Sequence, residues 1–250
     1  MKPFISVIIP NYNEQANLER GILADISKYL SKQKYGWEVI ISDDGSTDQS
    51  AQIIKKFIKS HPNFRYLDNP HAGKPYALRS GINAARGEYI LFTDMDQSTP
   101  IKELAKLIKH ARSGSRVVIG SRGSRRKDSS LFRQLASLIF LLARRSILLP
   151  RIKDTQCGFK LFETKLVKDL FPQMRLFGRN QEASGWKVTA YDVELLYLVR
   201  KNKVMIQEVP VLWRDEDVSD NKSRNFIKES IEMFFEILRV RVNDLLGKYG

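Results

Sequence analysis

EYILFTDMDQST, residues 88–99, is the stretch that decides how this 250-residue chain folds. Glu88–Thr93 is a short apolar run with strand character, and it leads directly into Asp94-Met95-Asp96. A buried strand ending in two carboxylates predicts an open α/β sheet with its ligands at the strand C-termini. In extended backbone, residues two apart project to the same side, so Asp94 and Asp96 are expected to face one ion. Their hard oxygens suit Mg2+ or Mn2+ carrying a substrate diphosphate. Asp-x-Asp alone also reads as a solvated turn, so its meaning depends on what surrounds it.

Upstream, the same alternation of strand and helix repeats. Ile5–Pro10 (ISVIIP) is a continuous apolar run, as expected of a strand covered on both faces. Glu14–Leu30 carries apolar residues at helical spacing, Trp37–Ser42 reads as a second strand, and Ser46–Asp48 can cap a helix over Gln49–Lys59. Asn63–Asp68 and Pro75–Ala85 give a third strand and helix. Downstream, Pro100–Ala111 reads as a helix and Arg116–Gly120 as a fifth strand. The rhythm predicts a mostly parallel sheet with helices on both faces. The second half is less regular: Asp154–Phe162 reads as a turn-rich stretch around Gly158, Ala190–Lys201 as a helix, and Val204–Trp213 as a strand placed near an edge by Pro210. No repeat or linker separates two domains. The expected organisation is one domain over 1–225, with a first half 1–125 and a second half 126–225, followed by an amphipathic helix over 226–250.

Composition bounds the partners. Lys and Arg outnumber Asp and Glu by 42 to 28, a net charge of +14 that favours a polyanionic partner: nucleic acid, an anionic membrane or a phosphorylated substrate. The single cysteine, Cys157, excludes an intrachain disulfide framework and fits a reducing compartment. Leu131–Pro150 is mostly apolar but interrupted by Arg133, Arg144 and Arg145, which favours surface helices over a spanning one. The expectation is a soluble or peripheral protein without a cleavable signal.

Four segments fall on predicted strand ends in order: IIPNYNE (8–14), SDDGSTD (42–48), GKPYALRSG (73–81) and TDMDQSTP (93–100). Together they resemble the family 2 glycosyltransferases with the GT-A fold, over roughly the first half of the chain. The resemblance implies that Pro10, Tyr12, Asn13 and Glu14 sit against the nucleoside of a nucleotide sugar. It implies that Asp43 and Asp44 accept hydrogen bonds from base and ribose, although Asp43–Ser46 also reads as a turn with a helix cap. Lys74 would reach the diphosphate, while Asp94 and Asp96 would hold the metal that stabilises it as leaving group. The polyprenyl-phosphate mannosyltransferases often carry Asp-x-Asp-x-Gln; here Gln97 directly follows Asp96 and Ser98 takes the glutamine's place, so Gln97 is not assigned as a ligand.

DTQCGFKLF (154–162) and AYDVELLY (190–197) resemble the dolichyl-phosphate β-glucosyltransferases. By the same resemblance, Arg122 and Arg133 are expected to grip an acceptor phosphate, with Lys222 in a loosely matching loop over 221–224, and Asp192 is expected near the sugar. Asp154 is read as structural, fixing the turn at Cys157–Gly158. A phosphate monoester has its second pKa near 6 and arrives largely as the dianion, so attack on the anomeric carbon demands no general base and would invert it. The expected activity is metal-dependent transfer of a hexose, from UDP-glucose first and GDP-mannose second, to a dolichyl or polyprenyl phosphate. Many relatives carry transmembrane helices, so peripheral attachment at the cytoplasmic membrane face, or a membrane-protein partner, is expected in their place. A soluble or polysaccharide acceptor is the alternative. Nucleic-acid binding is not expected, because the basic clusters lack an RNA-binding aromatic motif.

Overall fold

The computed structural model describes residues 2–123, 148–176, 190–219 and 226–249, the side chains of 226–231 excepted. Five strands of the first half, β1 (Ile5–Asn11), β2 (Trp37–Asp43), β3 (Phe64–Asp68), β4 (Tyr89–Phe92) and β5 (Val117–Ser121), join β6 (Lys160–Glu163) and β7 (Ile206–Pro210). They form one seven-stranded sheet in the order β3-β2-β1-β4-β6-β5-β7. β1 lies at its centre, parallel to β2 and β4, with Ile5 opposite Trp37 and Tyr89. Strand alternation then builds two cores. Ile5, Val7 and Ile9 face helices α2 (Ile22–Leu30) and α5 (Leu104–Arg112) through Leu23, Ile26, Leu104 and Leu107. Ile8 and Ile40 face the other side, with Leu78 and Ile82 of α4 (Lys74–Ala84). Each such aliphatic side chain contributes roughly 1.5–3 kcal/mol on burial, which is why ISVIIP has no polar face.

The predicted strands and helices of the first half are observed within a residue or two, with two changes of detail. Helix α5 begins only at Leu104, after a 3-10 turn over Ile101–Glu103. Glu14–Leu30 is two helices, α1 (Gln15–Glu19) and α2, separated at Gly21, whose φ of +81° cannot continue a right-handed helix. Asp48, one residue before the N-cap Gln49 of α3 (Ser50–Ile58), accepts from the Ser50 amide at 2.9 Å.

β6 was not legible as a strand. Four residues from the turn-rich 154–162 stretch insert antiparallel between β4 and β5, pairing Lys160 with both Phe92 and Ile119. Its partners lie about 40 to 70 residues upstream, so local pattern carries no trace of the pairing. β7 is an edge strand ending at Pro210, as its proline predicts. Helices α6 (Thr164–Leu170), α7 (Tyr191–Lys201) and α8 (Phe226–Leu245) complete the second face. Ile237 and Val240 of α8 are fully buried in the same core as Leu196 and Leu198 of α7. The outer side of α8 leaves Phe235 62%, Val242 51% and Leu245 71% exposed, and Leu246 just beyond it is 63% exposed. Among the described residues no helix is long and apolar enough to cross a membrane; the expected surface helices over 131–150 lie almost wholly outside those residues.

Candidate active site

The C-terminal ends of β1, β2 and β4 converge, and hydrogen bonds knit the first three motifs into one wall. Asn11 closes β1 by donating through Nδ2 to Asp43 Oδ1 at 2.5 Å. Asp43 also accepts from the Ser46 amide at 3.0 Å, Ser46 Oγ at 2.6 Å and the Tyr66 hydroxyl at 3.1 Å. Asp44 accepts from His71 Nδ1 at 2.9 Å and from the amides of Ala72 and Gly73, both at 2.9 Å. Burial raises the Asp44 pKa, and those donors offset it only in part. Both carboxylates, expected to receive a nucleoside, are thus buried and engaged inside the wall. Asn13 takes a left-handed conformation, φ +53°, and its Oδ1 accepts from the Thr47 amide at 2.8 Å. Glu14 Oε2 accepts from Asn17 Nδ2 at 2.5 Å, and Pro10 lies buried in β1 opposite Ser42. Tyr12 stacks on His71, ring centres 4.3 Å apart. His71, an aromatic surface on this wall, was not picked out from sequence.

The acidic motif departs from the extended geometry expected of it. β4 ends at Phe92, and Asp94–Gln97 is a turn in which the Gln97 amide donates to the Asp94 carbonyl at 3.3 Å. Gln97, at φ +51°, folds its side chain back onto the same carbonyl at 2.8 Å. The alternation rule therefore does not apply to the two aspartates, which lie in a turn with Met95 buried between two partly exposed carboxylates. Asp96 Oδ1 accepts from the Ser98 amide at 2.9 Å. Lys74, at the start of α4, donates from Nζ to Asp94 Oδ1 at 2.5 Å. Burial would lower the Lys74 pKa, but Asp94, with Tyr191 and Asp192 nearby, raises it above the ordinary range, so the ammonium is retained. The Lys74 ammonium occupies Asp94 Oδ1, and the two aspartate side chains offer only hard oxygens. The pair therefore suits Mg2+ or Mn2+. Among the described residues no cluster of three or more His, Cys, Asp or Glu gathers for a metal.

The second half supplies the opposite side. Lys160, missed from sequence as a site residue, is 1% exposed and donates to Asp192 Oδ1 at 2.7 Å and to the Cys157 carbonyl at 2.5 Å. Its only signal was a charge inside the apolar run Phe159–Phe162. Asp192 stands in the first turn of α7 beside buried Tyr191. Glu194, two residues on in the same turn, is structural: it accepts from the Arg175 and Leu176 amides at 2.6 and 3.1 Å and from the Tyr249 hydroxyl at 2.6 Å. Arg122, at the end of β5, forks onto Asp154 at 2.7 and 2.9 Å. Burial alone would raise the Asp154 pKa; the Arg122 guanidinium overrides it and holds the carboxyl at about 2. The Arg122 guanidinium lies 5.8 Å from the ring centre of Trp213, on a strap that leaves β7 and crosses the strand ends. The strap is pinned by the Arg214 amide to the Ser98 carbonyl at 2.8 Å and by Asn17 Nδ2 to Asp217 Oδ1 at 3.0 Å. Val204–Trp213, expected as one strand, is therefore strand only to Pro210. Arg133 and Lys222 lie outside the described residues.

A doubly wound sheet whose strand ends carry an aromatic wall, an acidic turn and a buried ion-pair cluster is the GT-A architecture of nucleotide-sugar transferases. Residues 6–171 match the model of glycosyl transferase family 2, and the chain belongs to that family as a glycosyltransferase. It is 35% identical to the dolichyl-phosphate beta-glucosyltransferase of Dictyostelium discoideum, across 98% of this chain and 76% of that one. The enzyme of the same name from Saccharomyces cerevisiae is 32% identical over the same shares. Among solved structures, glucosyl-3-phosphoglycerate synthase from Mycobacterium tuberculosis, in complex with Mn2+, UDP-glucose and phosphoglyceric acid, superposes with a TM-score of 0.63. That match has 18% identity, covers 96% of this chain and 80% of the other, and attests the shared fold.

Proposed function

We propose that this glycosyltransferase moves glucose from UDP-glucose to a dolichyl or polyprenyl phosphate, with inversion, at the cytoplasmic face of a membrane. The observation that carries the reading is one juxtaposition: Lys74, paired with Asp94 in the nucleotide half, lies near enough to Asp192, paired with Lys160 in the second half, to feel its charge. GDP-mannose is the second donor to consider.

In this reading Tyr12, Asn13 and Glu14 border the nucleoside, with the Tyr12–His71 stack as its aromatic surface. Asp43 and Asp44 act by holding the loops that shape the pocket. Asp94 and Asp96 would hold Mg2+ or Mn2+, which when bound neutralises the diphosphate and stabilises it as leaving group. Lys74 adds a fixed positive charge at the same edge, where negative charge grows as the glycosidic bond breaks. Asp192 accepts hydroxyl hydrogens of the sugar and orients its anomeric carbon. Arg122, held rigid by Asp154 and stacked over Trp213, presents its remaining N–H groups to the acceptor phosphate, joined by Arg133 and Lys222. The acceptor arrives as a dianion, so its oxygen attacks the anomeric carbon directly and an α-linked donor yields a β-linked product. The site then works by positioning and charge, not by proton transfer. The exposed apolar side of α8 supports contact with the bilayer in which the acceptor resides.

Two variants test the reading. Asp96→Ala is expected to keep its fold and lose on the order of 10²–10³-fold in transfer, the loss typical of removing one charge-stabilising group. Arg122→Ala with Arg133→Ala is expected to raise KM for lipid phosphate while donor binding persists. Normal transfer by the arginine double variant would exclude a phosphate acceptor.

A further inference from the structure

Lys160 sits where an apolar residue is expected. On β6 it shares a face with Phe162, which is fully buried in the core beside Leu166, Val167 and Leu170, and the Lys160 side chain is equally buried. A buried ion pair gains little over well-packed apolar residues of the same volume, so net stability does not explain a lysine here. Its geometry does. The ammonium bridges two chain segments: the Cys157 carbonyl, immediately before the Gly158 backbone on which Asp94 rests, and Asp192 in the first turn of α7. One Asp192 oxygen is thereby fixed from the core side, and the carboxylate remains 13% exposed. Lys74 and Asp94 lie across from it, giving a row of alternating charges from core to rim.

We propose that Lys160 is a positioning residue for glycosyl transfer, its buried ammonium fixing Asp192 against the transferred sugar. The inference rests on the reading that Asp192 meets the sugar, and it adds that the aim of that carboxylate is set from β6. A carboxylate left to rotate would still let the nucleotide bind, because the nucleoside wall and Asp94 are untouched. It would lower the fraction of bound sugars aligned for attack. The effect therefore belongs in kcat.

The test is a mutant cycle on the full chain with labelled UDP-glucose and dolichyl phosphate, each protein checked by thermal melting. Asp192→Asn alone examines the reading of the sugar site. Lys160→Met is expected to lower kcat on the order of 10²-fold, with the donor KM within about threefold, as befits a misplaced group beside the chemistry. Lys160→Arg is expected to recover most of that loss. In an Asp192→Asn background, Lys160→Met is expected to change kcat by less than about twofold, because the two residues act as one unit. If Lys160→Met alone does not fold, the double variant replaces the buried pair with neutral groups. Its kcat should then equal that of Asp192→Asn, and a much lower value would overturn the proposal. Multiplying effects of the two substitutions, or a loss confined to KM, would overturn it while leaving Asp192's role intact. Normal transfer by Asp192→Asn would remove the sugar-site reading and this proposal with it.

Discussion

Asp94 rests on the backbone of Gly158: a β-carbon there would stand 2.8 Å from the carboxylate carbon Cγ, and closer still to Oδ2. The Asp94 carboxylate therefore reaches its position only because the residue two before β6 has no side chain. Gly158→Ala is expected to push Asp94 aside and reduce transfer on the order of 10²-fold, while crowding of this kind destabilises by about 1–3 kcal/mol. Turnover and a melting curve on the same preparation check it. Wild-type turnover in the alanine variant would mean that Asp94 need not be where it is.

Lys74→Met removes the ammonium 2.5 Å from Asp94 and leaves a carboxylate without its nearest cation. Because Asp94 is more than a third exposed, the stability change should be small. Donor binding should fall instead, with kcat/KM down roughly 10–100-fold and Lys74→Arg recovering part of it. Steady-state kinetics over a range of donor concentrations separates the two effects.

The Asp154–Arg122 fork makes a prediction about acid. The Asp154 carboxyl is held at about 2, against an ordinary value of 3.8. A folded-state pKa below the unfolded one stabilises at higher pH and the benefit is lost as pH falls through it. At about 1.4 kcal/mol for each pH unit, the fork contributes about 2 kcal/mol above roughly pH 4, lost progressively toward pH 2. Asp154→Asn should flatten the fall in stability across that window, measured by denaturant unfolding at a series of pH values. An unchanged slope would show that the fork does not couple to folding.

The outer side of α8 should reveal whether the protein works at a lipid surface. Phe235 of the helix and Leu246 just beyond its end are mostly exposed, with Arg239 and Arg241 exposed on the helix. Wild-type protein is expected to sediment with anionic phospholipid vesicles, and Phe235→Glu with Leu246→Glu is expected to abolish this without lowering the melting temperature. Equal sedimentation of the double variant would move the contact to another part of the surface.

The sheet was largely legible because β1, β2 and β4 are covered on both faces and are mostly apolar, a pattern visible in ISVIIP and YILF. The motifs gather at one end of it because strand C-termini do. Orientation within the site was less legible. Asp43 and Asp44 look like ligands in sequence, yet their partners, Tyr66 and the His71–Gly73 loop, lie more than twenty residues on. Alternation failed at Asp94 because the strand ends two residues earlier and a left-handed Gln97 closes a turn. β6 and Lys160 were hidden for a related reason: a four-residue strand has too few positions to display a period, and its pairing is wholly long-range.

The most direct measurement of the central claim is transfer itself. The protein would be incubated with labelled UDP-glucose, GDP-mannose and other nucleotide sugars, dolichyl phosphate and Mn2+ or Mg2+, and the label followed into the organic phase. The account predicts lipid-extractable label from UDP-glucose, in β linkage to phosphate, requiring both the lipid and the cation. Label that enters the lipid phase from none of these donors, or appears only in a water-soluble product, would contradict it.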